Sequence, residues 1–110
     1  RQRMAVTPSH KGRQAISEYA TLESFDHHSL LEVRILTGRT HQIRLHMAFL
    51  DCPVVGDTIY GRRQSSLPLT RQYLHARELA IIIPGEVSPR IFEAPLPAEL
   101  EEILLSLRRG

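Results

Sequence analysis

Five long polar side chains lie within eight residues near the middle of this sequence, and these residue types are the ones best suited to do chemistry. They are Arg39, His41, Gln42, Arg44 and His46. Arginine can hold a carboxylate or a phosphate through two parallel hydrogen bonds. The cluster lies where a strand pattern gives way to a helix pattern, and free backbone amides at a helix N-terminus favour an anion. This arrangement predicts a site for phosphate or a polynucleotide rather than a solvated helix face.

Two predicted strands precede this cluster. The segment from Ala15 to Phe25 is rich in β-branched and aromatic residues, which favours a strand. Leu31, Val33 and Ile35 then alternate with charged residues, as in a strand with one buried face. A short polar turn separates the two segments, so the sequence predicts an antiparallel hairpin.

A helix is predicted after the hairpin, with Thr40 as its cap and Leu50 near its end. Ile43, Met47 and Leu50 recur at the spacing of a core-facing stripe. Asp51 follows where the chain must leave the helix, and Asp tolerates the left-handed conformation better than most residues.

The ends of the chain complete an α+β fold, in which helices flank part of a mixed, mostly antiparallel sheet. Residues 1–14 are basic and contain Pro and Gly, so they are interpreted as a flexible segment, with one folded unit over residues 15–110. A strand is predicted from Leu79 to Ile83. A helix is predicted from Ala98 to Arg108, with a buried stripe of Leu100, Ile103, Leu104 and Leu107.

Composition narrows the class of protein. The 110 residues are enough for one domain or part of one, and the formal charge of +2 suits either an enzyme or a nucleic-acid-binding protein. No apolar run is long enough to predict a membrane span. The single cysteine, Cys52, excludes an internal disulfide framework and favours a cytoplasmic location.

Other chemistries have little support in the pattern. His41 and His46 are five residues apart, whereas three or four would place them on one helix face, so no metal site is predicted. The GxSxG, P-loop and GxGxxG motifs are absent. Tyr60 suits core packing better than stacking on a base, and Asp57 suits turn capping better than catalysis.

The segment TGRTHQIRLHMAFLDCPVVGDTIYG resembles a signature of the RluA/RluD-type pseudouridine synthases. The preceding strands resemble those that lead into this motif in the family. Downstream, LTRQYLHARELAI and FEAPLPAELEEILLSL resemble the closing strand and helix of the family. The resemblance extends from about Ala15 to the end of the chain.

The resemblance implies isomerisation of uridine to pseudouridine in ribosomal or transfer RNA, without cofactor or metal. In the family an Asp nucleophile drives cleavage of the glycosidic bond, and the target nucleotide must leave its stack. That Asp lies in a motif like HRLDxxTSG, which this chain lacks, and the family's active-site Tyr lies in the same upstream half. None of Asp26, Asp51 and Asp57 follows an Arg-Leu pair. The sequence is therefore interpreted as a C-terminal fragment, inactive alone.

The resemblance also implies roles for individual residues. Arg44 matches the arginine that pairs with the nucleophilic Asp and keeps it ionised. Ile43 and Leu45 would form the apolar wall around the base, and Asp57 and Tyr60 would give structural support. The remaining polar residues would orient RNA or brace the site: Arg39, Thr40, His41, Gln42 and His46.

Partners and rival functions follow from the same pattern. Expected partners are RNA, the missing N-terminal half of the catalytic domain, and a second copy of the chain through exposed apolar surface. A rival interpretation is a stand-alone RNA-binding module that kept the scaffold without the chemistry. A third and weaker one is a metal-dependent hydrolase built on the histidines.

Overall fold

The computed structural model describes residues 2–6, 14–69, 71–81 and 84–110. These ranges contain five strands and two helices: β1 (Gln2–Val6), β2 (Ala15–Ser24), β3 (Ser29–Ile35), α1 (Gln42–Phe49), β4 (Glu78–Ile81), β5 (Arg90–Glu93) and α2 (Ala98–Arg109). Strands β1, β2 and β3 form an antiparallel sheet in that order, and β4 and β5 form a separate antiparallel pair. The α+β fold class predicted from the sequence is confirmed.

The hairpin predicted before the polar cluster is present as β2 and β3. The single buried face predicted for β3 is not, because Leu31 and Val33 are only half-buried and Ile35 is exposed. Their pairing runs from Ser17 opposite Ile35 to Ser24 opposite Ser29, with a shift of register between Thr21 and Glu23. A hydrogen bond from the Phe25 amide to the His28 carbonyl, 2.7 Å long, closes the turn. This register brings the end of β3 beside Ser17, so the chain leaves the sheet toward α1 at that point.

The interpretation of residues 1–14 as a flexible segment is wrong for Gln2–Val6, which form β1. This strand pairs with β2 from Gln2 opposite Tyr19 onward. Composition favoured a loop there because the segment is basic. On the strand, however, the Arg3 guanidinium lies 2.7 Å from the Glu18 carboxylate across the ladder. Residues 7–13 lie outside the described part of the chain, and the domain boundary at residue 14 stays a prediction.

Helix α1 does not bury the apolar stripe that its sequence predicts. Met47 is buried, but Ile43 is half-buried and Leu50 is exposed. The buried residues are instead Gln42, Arg44, His46 and Met47. Buried polar groups are tolerated where they are hydrogen-bonded, and these find partners in β2 and in the loop after α1. Periodicity alone therefore identified the helix but misassigned its buried face.

The start of α1 also differs from the prediction. The N-cap is His41, not Thr40, and no side chain caps the helix. His41 is left-handed, with φ 51°. At the other end Asp51 has φ 62°, so its predicted left-handed conformation is confirmed.

Helix α2 follows the predicted pattern except at Leu107, which is half-buried rather than buried. Leu100, Ile103 and Leu104 are buried, and they are three of the four buried apolar residues in the described ranges. The Tyr73 hydroxyl donates to the Leu100 carbonyl at 2.9 Å, which fixes the helix to the preceding segment. Of the strand predicted at Leu79 to Ile83, β4 accounts for the first part, while residues 82–83 lie outside the description. No helix in the described ranges is long and apolar enough to cross a membrane.

Gly56 holds the loop after α1 against a later segment. Its φ is +83°, and an added Cβ would lie 2.1 Å from the Arg71 carbonyl oxygen. Beside it the Tyr73 amide donates to the Val55 carbonyl at 2.7 Å. Only glycine combines this conformation with so close an approach of two backbones. The contact fixes the position of the next residue, Asp57.

Candidate functional site

The Gln42 side chain ties the start of α1 to the sheet. Its Nε2 donates to the Ile16 carbonyl at 2.8 Å and to Ser17 Oγ at 2.9 Å. Its Oε1 accepts from Thr37 Oγ1 at 2.7 Å and from the Arg39 amide at 3.1 Å. Both hydrogens and both lone pairs of the amide are thus used. Gln42 shapes the turn between β3 and α1 and has no hydrogen-bonding capacity left for a ligand.

His46 lies one helical turn after Gln42 and meets the same serine. Its Nδ1 is 2.9 Å from Ser17 Oγ, and both residues are buried. The buried Nε2 of His46 has no hydrogen-bond partner among the described residues. The two roles that the sequence left open for Gln42 and His46 were contact with RNA and support of the site. Their buried geometry favours support.

Arg44 is held on the other side of α1 by Asp57. Nε donates to Oδ2 at 2.9 Å and Nη2 donates to Oδ1 at 3.0 Å, so the pair is bidentate. Asp57 is 1% exposed, and Arg44 is also buried. Oδ1 of Asp57 further accepts from the amides of Ile59 and Tyr60, at 3.1 Å each. The same Asp57 carboxylate therefore both caps the turn and fixes the Arg44 guanidinium.

Tyr60 closes this arrangement from the loop. The guanidinium carbon of Arg44 lies 4.8 Å from the centre of the Tyr60 ring, a distance suited to a cation–π contact. The Tyr60 hydroxyl is 2.9 Å from His41 Nδ1, and the two rings meet edge to face. The ring is thus occupied by contacts within the chain, which agrees better with packing than with stacking on a base.

An open cavity of about 270 Å³ is lined in part by Arg44. It is lined by predicted site residues and by three others: Arg39, His41, Gln42, Ile43 and Arg44, with Ile35, Gln72 and Leu74. Ile43 is therefore placed to form an apolar wall. Leu45, predicted as its companion, is not among the lining residues and is 44% exposed. Leu45 follows Ile43 by two positions, which is a rotation of about 200° around the helix axis, so the two side chains lie on different sides of α1.

Sequence reasoning missed Gln72, Leu74, Ser17 and the identity of the partner of Arg44. The first two belong to a segment interpreted only as a closing strand, and nothing local marks them as lining residues. Ser17 is one polar residue in a strand pattern. Arg44 and Asp57 are thirteen residues apart and meet only because the loop folds back. Among the described residues, no group of three or more His, Cys, Asp or Glu side chains is placed to hold a metal ion.

The electrostatics of the pair follow from its hydrogen bonds. Donation from Arg44 lowers the pKa of Asp57 to about 2, against the opposing effect of burial, and the amides of Tyr60 and Ile59 act in the same direction. Donation to Asp57 raises the pKa of Arg44. Both groups are therefore charged at neutral pH. A carboxylate so buried and so fully engaged is held as a structural ion.

Burial lowers the pKa of His46 and makes the fold sensitive to acid. The unfolded chain takes up the proton at a pH near 6.5, above the folded-state pKa, so the free energy of unfolding falls as pH drops below that value. We expect urea unfolding of the wild type to lose more stability between pH 7 and pH 5 than the His46→Asn variant loses. Equal slopes for the two proteins would contradict this assignment, because all other titrating groups are common to both.

Comparison with known proteins gives this geometry its family context. A family model described as RNA pseudouridylate synthase matches residues 2–49. The chain is 49% identical over 108 residues to an uncharacterised RNA pseudouridine synthase of Chloroflexus aurantiacus, covering 98% of the chain and 34% of that relative. It is 40% identical over 117 residues to the ribosomal large subunit pseudouridine synthase D of Vibrio cholerae, covering 96% of the chain and 36% of that relative. The chain thus spans about a third of the length of the curated relatives it matches.

Proposed function

Because this chain belongs to the RNA pseudouridine synthase family and corresponds to the C-terminal part of its RluA/RluD-type members, we propose that it forms the Arg44 side of a pocket in which uridine is isomerised to pseudouridine. The observation that carries this proposal is that Arg44, whose guanidinium is fixed by Asp57, lines an open cavity. Asp57 and Tyr60 hold the guanidinium through contacts within the chain itself.

The guanidinium keeps donors free for a second carboxylate. Asp57 takes one hydrogen from Nε and one from Nη2, while Nη1 has no partner in the described part of the chain. Three of its five N–H groups thus stay available, and two of them can face a carboxylate in parallel. A nucleophilic Asp placed there would be oriented and kept ionised by the adjacent positive charge. None of the three Asp residues of this chain lines the cavity.

The rim of the cavity is suited to the phosphates of RNA. Arg39, Thr40 and His41 are exposed, and they lie at the turn that begins α1. Arg39 and His41 also line the cavity. We propose that these three residues orient a flipped-out nucleotide, with ribosomal or transfer RNA as the substrate and the cytoplasm as the location. The name of the Vibrio cholerae relative, which specifies the large ribosomal subunit, supports ribosomal RNA as the first substrate to test.

The test of the proposed function is turnover by the full-length gene product. Ribosomal and transfer RNA carrying tritiated uridine are incubated with it, and released tritium is counted. Release from one of these RNAs is the expected result. The absence of release from both, with RNA binding retained, would favour the rival interpretation of an RNA-binding module without catalysis.

Binding of RNA is expected to be weak and sensitive to salt. When the logarithm of the binding constant is plotted against the logarithm of the salt concentration, each phosphate contact to a single strand contributes a slope on the order of −0.7. A few contacts therefore predict a shallow slope. Arg39→Ala should reduce the magnitude of the slope by about one contact, whereas Arg39→Lys should preserve it because lysine still supplies a point charge. Fluorescence anisotropy over a range of salt concentrations measures both. An affinity that does not change between low and moderate salt would contradict phosphate contact.

A further inference from the structure

Helix α1 is attached to β2 mainly by polar contacts. Three of its four buried residues are polar, and Met47 is the one apolar residue buried on it. Apolar burial is non-directional, and methionine adapts its shape to many surroundings. A single buried methionine therefore cannot fix how far α1 is rotated about its axis or shifted along it. Directional hydrogen bonds must supply that information.

We propose that Ser17 and His46 are positioning residues for pseudouridine formation, acting with Gln42 through α1 to set the place of the Arg44 guanidinium. This inference rests on the proposed function. Gln42 and His46 are four residues apart and so lie on one helix face, where both contact Ser17 Oγ at 2.9 Å. Two attachments one turn apart fix both rotation and sliding of the helix. Arg44 lies midway between them and projects to the other side, toward Asp57.

Ser17 is the centre of this network and cannot act on a substrate directly. It is completely buried and does not line the cavity. Its hydroxyl oxygen accepts a hydrogen bond from Gln42 Nε2 and is hydrogen-bonded to His46 Nδ1. The other ring nitrogen of His46, Nε2, has no partner among the described residues. Removing that one oxygen would therefore leave the His46 ring without a hydrogen bond and would leave one Gln42 hydrogen unpaired. The helix would lose both of its bonds to Ser17 together and would keep the Gln42 bond to the Ile16 carbonyl.

The alternative is that the network only stabilises the fold, and two control measurements separate these roles. Tyr73→Phe removes a hydroxyl that also bonds across elements, to the Leu100 carbonyl, but it acts on α2 and not on α1. His46→Asn retains a polar nitrogen near the position of Nδ1, so it should restore part of what His46→Ala loses. All assays use the full-length gene product at a temperature at which circular dichroism shows each variant folded.

The experiment measures kcat and KM for tritium release from RNA by wild type, Ser17→Ala, His46→Ala, His46→Asn and Tyr73→Phe. We expect Ser17→Ala and His46→Ala each to lower kcat by about ten- to a hundredfold with KM within about twofold, since small misplacement of a catalytic group costs this much. A protein that carries both Ser17→Ala and His46→Ala, measured in the same assay, should have a kcat no lower than that of the poorer single variant, because the two residues act as a unit. Tyr73→Phe should keep the kcat of wild type.

Each outcome bears on one claim. Absence of turnover in the wild type would overturn the proposed function itself. An active wild type with kcat unchanged in Ser17→Ala would overturn the positioning role alone. If Ser17→Ala does not fold, the near-isosteric Ser17→Cys replaces it, since a thiol is a weak hydrogen-bonding group. A kcat of Ser17→Cys equal to that of the wild type would then count against the proposal, and a tenfold loss would support it.

Discussion

Replacing Arg44 with lysine in the full-length gene product is expected to lower turnover at least about a hundredfold while changing RNA affinity little. Lysine keeps the positive charge but lacks the planar fork that can hold carboxylates in one orientation. Arg44 uses that fork to bind Asp57 bidentately, and Arg44 also lines the cavity in which we propose that a nucleophilic Asp lies. A lysine ammonium cannot serve both carboxylates with defined geometry.

Two comparison variants separate catalysis from structural support. Arg39→Lys is the matched control, since Arg39 is exposed at the cavity rim and lysine can replace it as a phosphate contact. Asp57→Asn breaks the buried pair from the other side and is expected to lower the free energy of unfolding by ~3 kcal/mol. Steady-state kinetics of tritium release, RNA affinity and urea unfolding are measured for all three variants.

The relative losses decide the role of Arg44. If it pairs with the nucleophile, Arg44→Lys should reduce kcat far more than Asp57→Asn does when both are compared as folded protein. If Arg44 only stabilises the loop, the loss of turnover in each variant should be proportional to its loss of free energy of unfolding. Near-normal turnover of Arg44→Lys would mean that the role transferred to this residue from the family is wrong.

The parts of the fold that could be predicted from sequence are those encoded over short distances. The hairpin follows from its β-branched and apolar residues and a polar turn, and α2 follows from its apolar spacing. The left-handed Asp51 follows from its place after a helix. In each case the local pattern and the tertiary environment favour the same conformation, so the prediction needs no knowledge of the rest of the chain.

The buried face of α1 could not be predicted in the same way. Hydrophobic periodicity assumes that apolar residues are buried, but in α1 the burial is decided by partners far away in sequence. Gln42 and His46 are buried because Ser17 on β2 offers a hydrogen bond, and Arg44 is buried because Asp57 folds back to meet it. The strand β1 escaped prediction for a related reason, since a short basic segment becomes a strand only when β2 offers it an edge.

The 110-residue chain alone is expected to have no measurable pseudouridine synthase activity. The resemblance to the family implies an Asp nucleophile, and this chain contains three Asp residues. Asp57 is completely engaged: its two oxygens accept four hydrogen bonds, and it is 1% exposed. Its pKa near 2 shows how strongly Arg44 and the turn amides favour the buried carboxylate. Freeing it for attack would break the pair that positions the guanidinium.

The other two Asp residues, Asp26 and Asp51, do not lie at the cavity. Asp26 lies in the turn between β2 and β3, and Asp51 follows α1; neither lines the cavity beside Arg44. The decisive measurement compares tritium release by the 110-residue chain and by the full-length gene product on the same RNA, with binding of that RNA to the short chain as the control for folding. Release by the short chain above the background without protein would contradict the prediction. Asp26→Asn, Asp51→Asn and Asp57→Asn would then identify the nucleophile, and an Asp57 that attacks would also require Arg44 to hold its carboxylate at the reacting centre instead of in the loop.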